Sequence, residues 1–598
     1  MTLVFDIAPN GLLRKQNGKP ALDRAHCILA KDTDGTDPSE CFIYHDSPDL
    51  MRHGSIEDGL RHLSTEGLPT SGHNVMGFDA PALRKLYPQW EGLRGPVFDT
   101  LVSSRLMFPW IGDTDYPRMK GGFPGKLIGS HSLEAWGWRL GLHKGDYPES
   151  WEKLTPDMLT YCARDVEVTA TLLSHLERQR WSERSLEIEH EFASNIDDMT
   201  GRGVWFDIAG CEGLTQRLSG RRAEVEDRLR SELGTWTKRW RTPKRKELRE
   251  KVLPVEPGSR MQVAAALGEL YGWKPSEFTN DGRAKLDESV ISRMDPTRVP
   301  IKEDLMEFFM LQKRLGQVAE GKHGWLKSVT DDHRIHGYVN HNGAYTGRCT
   351  HSRPNVAQTP RVGTEYGAEC RALFSAPPGR ALVGADMSGI EARLFAHYLH
   401  PYDQGAFVRQ ILSGDVHTQN MEAIRSVWPS ETRQDAKNHL YAAGYGAKAR
   451  KVGAMVGSSA KIGGKILSVI QDRVTGLETL VEDVQQAAKE HGFLIGLDGR
   501  RLRPPRIFSA FNTLIQSGGA VVMKLATNIA HRSVEQEGLD AQMVIHCHDE
   551  YQWECDPADA ARLSGILVGA IEEAGRELKV DCPLTGESKE GRTWAETH

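Results

Sequence analysis

The sequence predicts a multidomain α/β protein, and three observations carry that expectation. At 598 residues the chain exceeds what one hydrophobic core accommodates, and about three or four domains follow from typical domain sizes. Hydrophobic residues make up 39% and charged residues 26%, a globular balance that excludes wholesale disorder, a collagen-like fibre and a small disulfide scaffold. Short apolar runs alternate with stretches of helical periodicity, as in layered α/β architectures.

Residues 1–180 show that alternation, with strand candidates at Leu3-Val4-Phe5, Cys27-Ile28-Leu29-Ala30 and Cys41-Phe42-Ile43-Tyr44. The N-terminus lacks the basic start and apolar stretch of a secretion signal. From Ser185 to Leu233 apolar residues recur at helical spacing among many charges, which predicts one or two long exposed helices. Between Lys238 and Lys251 eight basic residues face two acidic ones, with Trp236 and Trp240 interleaved. This segment reads either as a phosphate-contacting element or as a solvated linker. Pro254, Pro257 and Gly258 mark a turn before a helical region that runs towards Lys327, and beyond Asp331 strands and helices alternate to the end.

No run approaches the roughly 18 apolar residues of a membrane span. The nine cysteines include no CxxC pair, which fits a reduced, cytoplasmic thiol set. A net charge of −6 does not advertise nucleic-acid binding, although a large protein can confine basic surface to one cleft.

Two strand ends carry carboxylates. Ala381-Leu382-Val383-Gly384-Ala385 runs into Asp386, and a helix follows from Ser388. Met543–Trp553 reads as a hairpin whose tip is His548-Asp549-Glu550. An Asp before a helix is commonly only a cap, and acidic residues at a turn are unremarkable when solvated. Should Asp386 and Asp549 converge, they can hold two Mg²⁺ ions at the roughly 3.5–4 Å separation of phosphoryl-transfer sites. Arg433, Lys437, Tyr441 and Tyr445 lie four apart, a stripe of about 18 Å on a helix. Cations at one end and aromatic rings at the other suit a nucleoside triphosphate, and they equally suit an amphipathic helix with surface cations and buried tyrosines.

The pattern RxxxKxxxYxxxYG from Arg433 to Gly446, with Asp386-Met387-Ser388-Gly389-Ile390-Glu391 and His548-Asp549-Glu550, resembles the A-family DNA polymerases, above all the replicative polymerases of T-odd podophages. Thr346-Gly347-Arg348, Pro354–Gln358, Gly414–Thr418 and Asn512–Ser517 match in the family's order. The resemblance implies a right-hand polymerase with a helical thumb (181–335, with the short basic segment 235–255), palm (336–400 and 501–598) and fingers (401–500). It implies that Asp386 and Asp549 bind two Mg²⁺ ions, with Mn²⁺ as a substitute and Glu550 as a neighbour of the catalytic pair. Arg433, Lys437 and His417 then grip the triphosphate of a dNTP, and Lys437 is placed to protonate pyrophosphate. Tyr445 stacks near the templating position, while Glu391 and Tyr441 close off the space for a ribose 2′-hydroxyl. Arg348, Gln358, Asn512, Gln516 and His548 face primer-template DNA.

Residues 1–180 resemble an RNase H-like 3′–5′ proofreading exonuclease of the DEDD type. Asp6, His73–Asp79 and Tyr161-Cys162-Ala163-Arg164-Asp165 carry the likeness. It implies metal binding by Asp6, Asp79 and Asp165, with Tyr161 positioning water. The family's first motif is Asp-x-Glu, and here Ala8 stands where the Glu belongs, so hydrolysis is expected to be weak or absent. Glu256–Gln262 and Leu311–Gln317 match the thumb, which lacks room for the long thioredoxin-recruiting insertion of some relatives, so thioredoxin dependence is not expected. The resemblance leaves room for a phage helicase-primase as partner. Two other readings remain at this level: a single-subunit RNA polymerase and a catalytically inactive DNA-binding scaffold.

Overall fold

The computed structural model describes residues 2–13, 21–33, 41–143, 145, 147, 150–241, 248–279 and 281–598. Its N-terminal sheet has five strands, β1 (Leu3–Pro9), β2 (Ala25–Asp32), β3 (Phe42–Tyr44), β4 (Thr70–Gly72) and β5 (Val97–Asp99), in the order β3-β2-β1-β4-β5. The first three run antiparallel, and β4 and β5 run parallel to β1, an RNase H-like topology. Helix α1 (Pro156–Glu177) starts on a Thr155 cap, with Pro156 in the first turn where no donor is needed. Its Met158, Cys162, Val166 and Leu173 pack on Val4, Ala8, Cys27 and Leu29 of the sheet.

The segment from Ser185 to Leu233 forms two helices, and the first is not an exposed one. Helix α2 (Glu183–Arg202) buries Ile188, Phe192, Ile196 and Met199 in the core of the C-terminal half. Glu183, Arg184 and Glu187 stay exposed, but the charge buried on its other face is neutralised in place. Glu189 is fully buried and accepts from Lys524 (2.6 and 2.9 Å), Arg500 (3.0 Å) and His341 (2.8 Å), and Arg500 also pairs with buried Asp498. A carboxylate without water is tolerable only with such partners. The second helix, α3 (Ile208–Leu233), keeps an apolar stripe of Cys211, Leu214, Leu218, Val225, Leu229 and Leu233 at three- to four-residue spacing. It packs on α4 (Lys302–Leu315), with its arginines paired to Asp304, Glu307 and Glu320. The described parts of the basic segment form two antiparallel strands, β6 (Thr235–Arg241) and β7 (Leu248–Pro254), and its residues 242–247 lie outside the described residues.

The C-terminal half is built on an antiparallel sheet of β8 (Ala381–Met387), β9 (Ala541–Cys547), β10 (Glu550–Cys555) and β11 (Gly586–Gly591), ordered β9-β10-β8-β11. Its core is continuous with the helices α5 (Ile390–Asp403), α6 (Val416–Ile424), α7 (Arg433–Gly444), α8 (Ala510–Gln536) and α9 (Ala560–Glu577). Among the described residues no helix is long and apolar enough to cross a membrane.

Candidate active site

Two chain reversals bring the predicted carboxylates together. Strand β8 delivers Asp386 opposite Glu550 of β10 and Glu587 of β11. The hairpin β9–β10 turns on His548-Asp549 alone, with His548 at a left-handed φ of 61°, and the Asp549 carbonyl accepts from Met387 N–H at 3.0 Å. Burial pushes the Asp386 carboxyl up to about 7, reinforced by the Asp549 and Glu550 charges. Carboxylates that repel each other in this way are a donor set a divalent cation relieves. Among the described residues no three His, Cys, Asp or Glu side chains cluster to cage an ion.

Glu550 plays a different part. It is buried and accepts from Gln552 Nε2 (2.7 Å) and Trp594 Nε1, with His598 Nδ1 at 3.0 Å and Arg371 at 3.6 Å. Burial alone raises its carboxyl, but these partners outweigh it and hold it below the ordinary value. It thus stays charged and braces the sheet beneath Asp386.

The raised Asp386 carboxyl has a measurable consequence. Its ordinary value is 3.8, so between that and about 7 the folded state holds a proton that the unfolded state releases. The stability it contributes is lost as pH rises through that window. Without divalent ions, Asp386→Asn is therefore expected to melt increasingly above the parent protein as pH goes from about 5 to about 8, by thermal unfolding. A constant difference would contradict the shift.

Helix α7 displays the predicted stripe. A Thr432–Asp435 capping box starts it. Arg433 is exposed and bonded to Asp415, the cap of α6 (Nη2 to Oδ1, 3.2 Å), whose carboxyl falls well below the usual range mainly through that contact. Lys437 is half-buried and has no hydrogen-bond or ion-pair partner among the described residues. His417 is buried, and its Nδ1 likewise lacks a hydrogen-bond partner. Burial, then the Lys437 and Arg433 charges, keeps its imidazole below the ordinary value. Two cations and a buried donor thus converge with too little negative charge between them, as an anion site requires. Further along α7, the Tyr441 and Tyr445 rings stack at 6.1 Å, and Tyr441 is only 8% exposed. Burial and the nearby Glu391 charge push both phenols up. Glu391, five residues after Asp386 and at the start of α5, accepts from Gln516 Nε2 of α8 at 2.7 Å.

Of the residues expected to face DNA, Asn512 and Gln516 are half-buried polar positions one turn apart on a helix otherwise largely buried. Arg348 lies close enough to His548 for its charge to lower that imidazole, which burial already depresses. Its loop depends on Gly347: at φ 81° a Cβ there would stand 2.6 Å from Arg500 Nη1. Gln358 is exposed in a short turn, its carbonyl bonded to Gln317 Nε2 (2.9 Å).

In the N-terminal domain Asp6, Asp79, Asp165 and Tyr161 line one cavity of about 540 Å³, with His73, Asn74 and Phe78. Burial pushes Asp79 up to about 8, with the Asp99 and Asp165 charges adding to it. Ala8 lies behind this cavity. It is 1% exposed, opposite Cys27 in the register and packed with Met158, Cys162 and Val166, so position 8 belongs to the apolar core and not to an open cleft.

A model of DNA polymerase family A matches residues 224–596. The chain belongs to DNA polymerase family A. It is a DNA-directed DNA polymerase. The DNA-directed DNA polymerases of Enterobacteria phage T3 and Escherichia phage T7 are each 30% identical to it, with 100% of both chains covered. This polymerase also shares its fold with the POL domain of Pol1 from M. smegmatis, solved as a complex with DNA primer-template and dNTP. There the TM-score is 0.78 at 20% identity, over 99% of this chain and 96% of that one. The family match sets the RNA polymerase reading aside. Sequence reasoning about the polymerase took Asp415 only as part of the Gly414–Thr418 match, with no role of its own, and missed Trp594 and His598. Asp415 carried a local signal, an Asp immediately before a helix, whereas the other two reach Glu550 only through the fold of the chain's end.

Proposed function

We propose that this polymerase extends the 3′-hydroxyl of a DNA primer by attack on the α-phosphate of a dNTP. The observation that supports it most is the meeting of Asp386 and Asp549 beside a helix whose cations lack sufficient counter-charge. Asp386 and Asp549 hold the divalent ions, Mg²⁺ or Mn²⁺ in its place, which when bound activate the hydroxyl and neutralise the leaving pyrophosphate. Arg433 exchanges Asp415 for the triphosphate, joined by His417 and Lys437, and Lys437 protonates the leaving group. Tyr441 and Glu391 bound the sugar, Tyr445 supports the templating base, and Arg348, Gln358, Asn512, Gln516 and His548 hold primer-template. Donors there sense minor-groove acceptors present in every correct pair, so they check shape without reading sequence.

The N-terminal domain binds 3′ ends in the cavity of Asp6, Asp79, Asp165 and Tyr161 but cuts poorly, because Ala8 supplies neither a ligand nor a base.

A 5′-labelled primer on a longer template tests the polymerase reading. Extension is expected with dNTPs and Mg²⁺, and failure to extend would sink the reading. In the same assay Glu391→Ala is expected to raise ribonucleotide use relative to dNTP by about 10- to 100-fold, the discrimination that one close steric contact provides. An unchanged ratio would remove Glu391 from the sugar pocket.

A further inference from the structure

Helix α7 is held by two side-chain ties of opposite character. Among the described residues, two of its side chains hydrogen-bond beyond the helix and its capping box: Arg433 to Asp415, and His439 Nδ1 to Glu431 Oε1 at 2.7 Å. The first tie lies at the surface, with the Arg433 side chain 55% and the Asp415 side chain 39% accessible, whereas those of His439 and Glu431 are 1% and 0%. An exposed pair is weak and exchangeable, because water and salt compete for both partners. A buried pair meets no such competition, and removing one partner strands the other away from water.

The two ties sit on different faces. Residue 439 follows Lys437 by two positions, about 200° around a helix of 3.6 residues per turn, so the imidazole lies behind the stripe of Arg433, Lys437 and Tyr441. Beside it Ala436 and Leu440 are buried in the core. Apolar contact is non-directional, so these two hold the helix down without fixing its rotation. Glu431 supplies the direction. It stands in the turn between α6 and α7, one residue ahead of the Thr432 cap, where its N–H donates to the Trp428 carbonyl (3.1 Å) and its carbonyl accepts from Arg425 Nε (3.0 Å) at the end of α6. Its buried Oε2 has no hydrogen-bond partner among the described residues, so the bond to His439 is what orients the carboxylate. Backbone and side chain together close a triangle from α6, through the turn, to the second turn of α7.

We propose that Glu431 and His439 are positioning residues for the incoming nucleotide: their pair fixes the rotation of α7, and with it the aim of Arg433, Lys437 and Tyr441. The proposal rests on the primer-extension reading above. In that reading Arg433 leaves Asp415 for the triphosphate, so the surface tie is given up at the moment of binding. The buried pair is then the side-chain hydrogen bond that keeps α7 in register with α6. Both residues lie behind the stripe and act through it, not on the substrate.

Single-nucleotide incorporation by the full-length enzyme, followed against dNTP concentration at saturating primer-template and Mg²⁺, reads KM and kcat separately, and thermal unfolding reads the fold. Glu431→Leu and His439→Phe are each expected to raise the KM for dNTP about tenfold and to change kcat by about threefold at most, since the grip is misaimed while Asp386 and Asp549 are untouched. Each should also melt lower, because one buried polar group is left unpaired. His439→Asn keeps a donor near the place of Nδ1 and should recover most of the KM. The double variant Glu431→Leu/His439→Phe separates positioning from plain stability, and it decides the matter where a single variant fails to fold. Its apolar pair should melt near the parent protein yet keep the raised KM, because an apolar contact does not fix rotation. A KM that returns together with the melting temperature would overturn the proposal, and so would single variants with the parental KM. Absent incorporation in the parent enzyme would instead overturn the primer-extension reading.

Discussion

Asp386→Asn and Asp549→Asn are each expected to reduce primer extension by about three orders of magnitude or more while leaving primer-template affinity within a few-fold. The two carboxylates meet where β8 ends and the β9–β10 hairpin turns, and neither contributes to a hydrophobic core. An amide keeps the shape but loses the charge that holds a cation. The lost charge stabilisation is several kcal/mol at the transition state, and each ~1.4 kcal/mol is tenfold in rate. Glu550→Gln is expected to lose activity by another route, since it loosens the contacts to Trp594, Gln552 and His598 that brace the sheet. Rapid-quench incorporation beside a binding titration separates the cases. Near-normal turnover in either Asp variant would remove it from the catalytic centre.

The second large effect concerns cleavage. Without dNTPs the labelled primer should stay nearly intact, and Ala8→Glu should raise 3′–5′ shortening by about 100-fold, the scale of one positioned general base. The gain has a structural cost. Position 8 is packed against Cys27, Met158 and Cys162, so the new carboxylate crowds a core and the melting temperature should drop. Adding Cys27→Ala makes room, and should recover part of the stability while keeping the cleavage. Rapid shortening by the parent protein would mean that Asp6, Asp79 and Asp165 suffice.

What could be read in advance and what could not divides by range. The strand before Asp386, the hairpin at His548-Asp549 and the stripe on α7 are local patterns of period two or about 3.6, and the structure reproduces them. Helix α2 was misjudged because a Glu in sequence looks solvated, and only the fold brings Lys524, Arg500 and His341 to Glu189. The pairing of the basic segment was illegible for a related reason: interleaved Lys, Arg and Trp fit a phosphate-contacting element or a solvated linker equally, and the strand partner is met only in the fold. Trp594 and His598 reach Glu550 by contacts spanning 44 and 48 residues, beyond any motif window.

The Glu189 cluster also dictates where this chain can be cut. Glu189 belongs by sequence to the stretch just after the N-terminal domain, but its counter-charges Lys524 and Arg500 sit in the core of the C-terminal half, and Arg500 in turn underlies the Gly347-Arg348 loop. A polymerase fragment trimmed past α2 would strand the buried Lys524, leave Arg500 to Asp498 alone and let that loop sag. Any version without the N-terminal domain must therefore begin ahead of Ser182, whose hydroxyl caps α2 and donates to the Asp498 carbonyl at 2.6 Å.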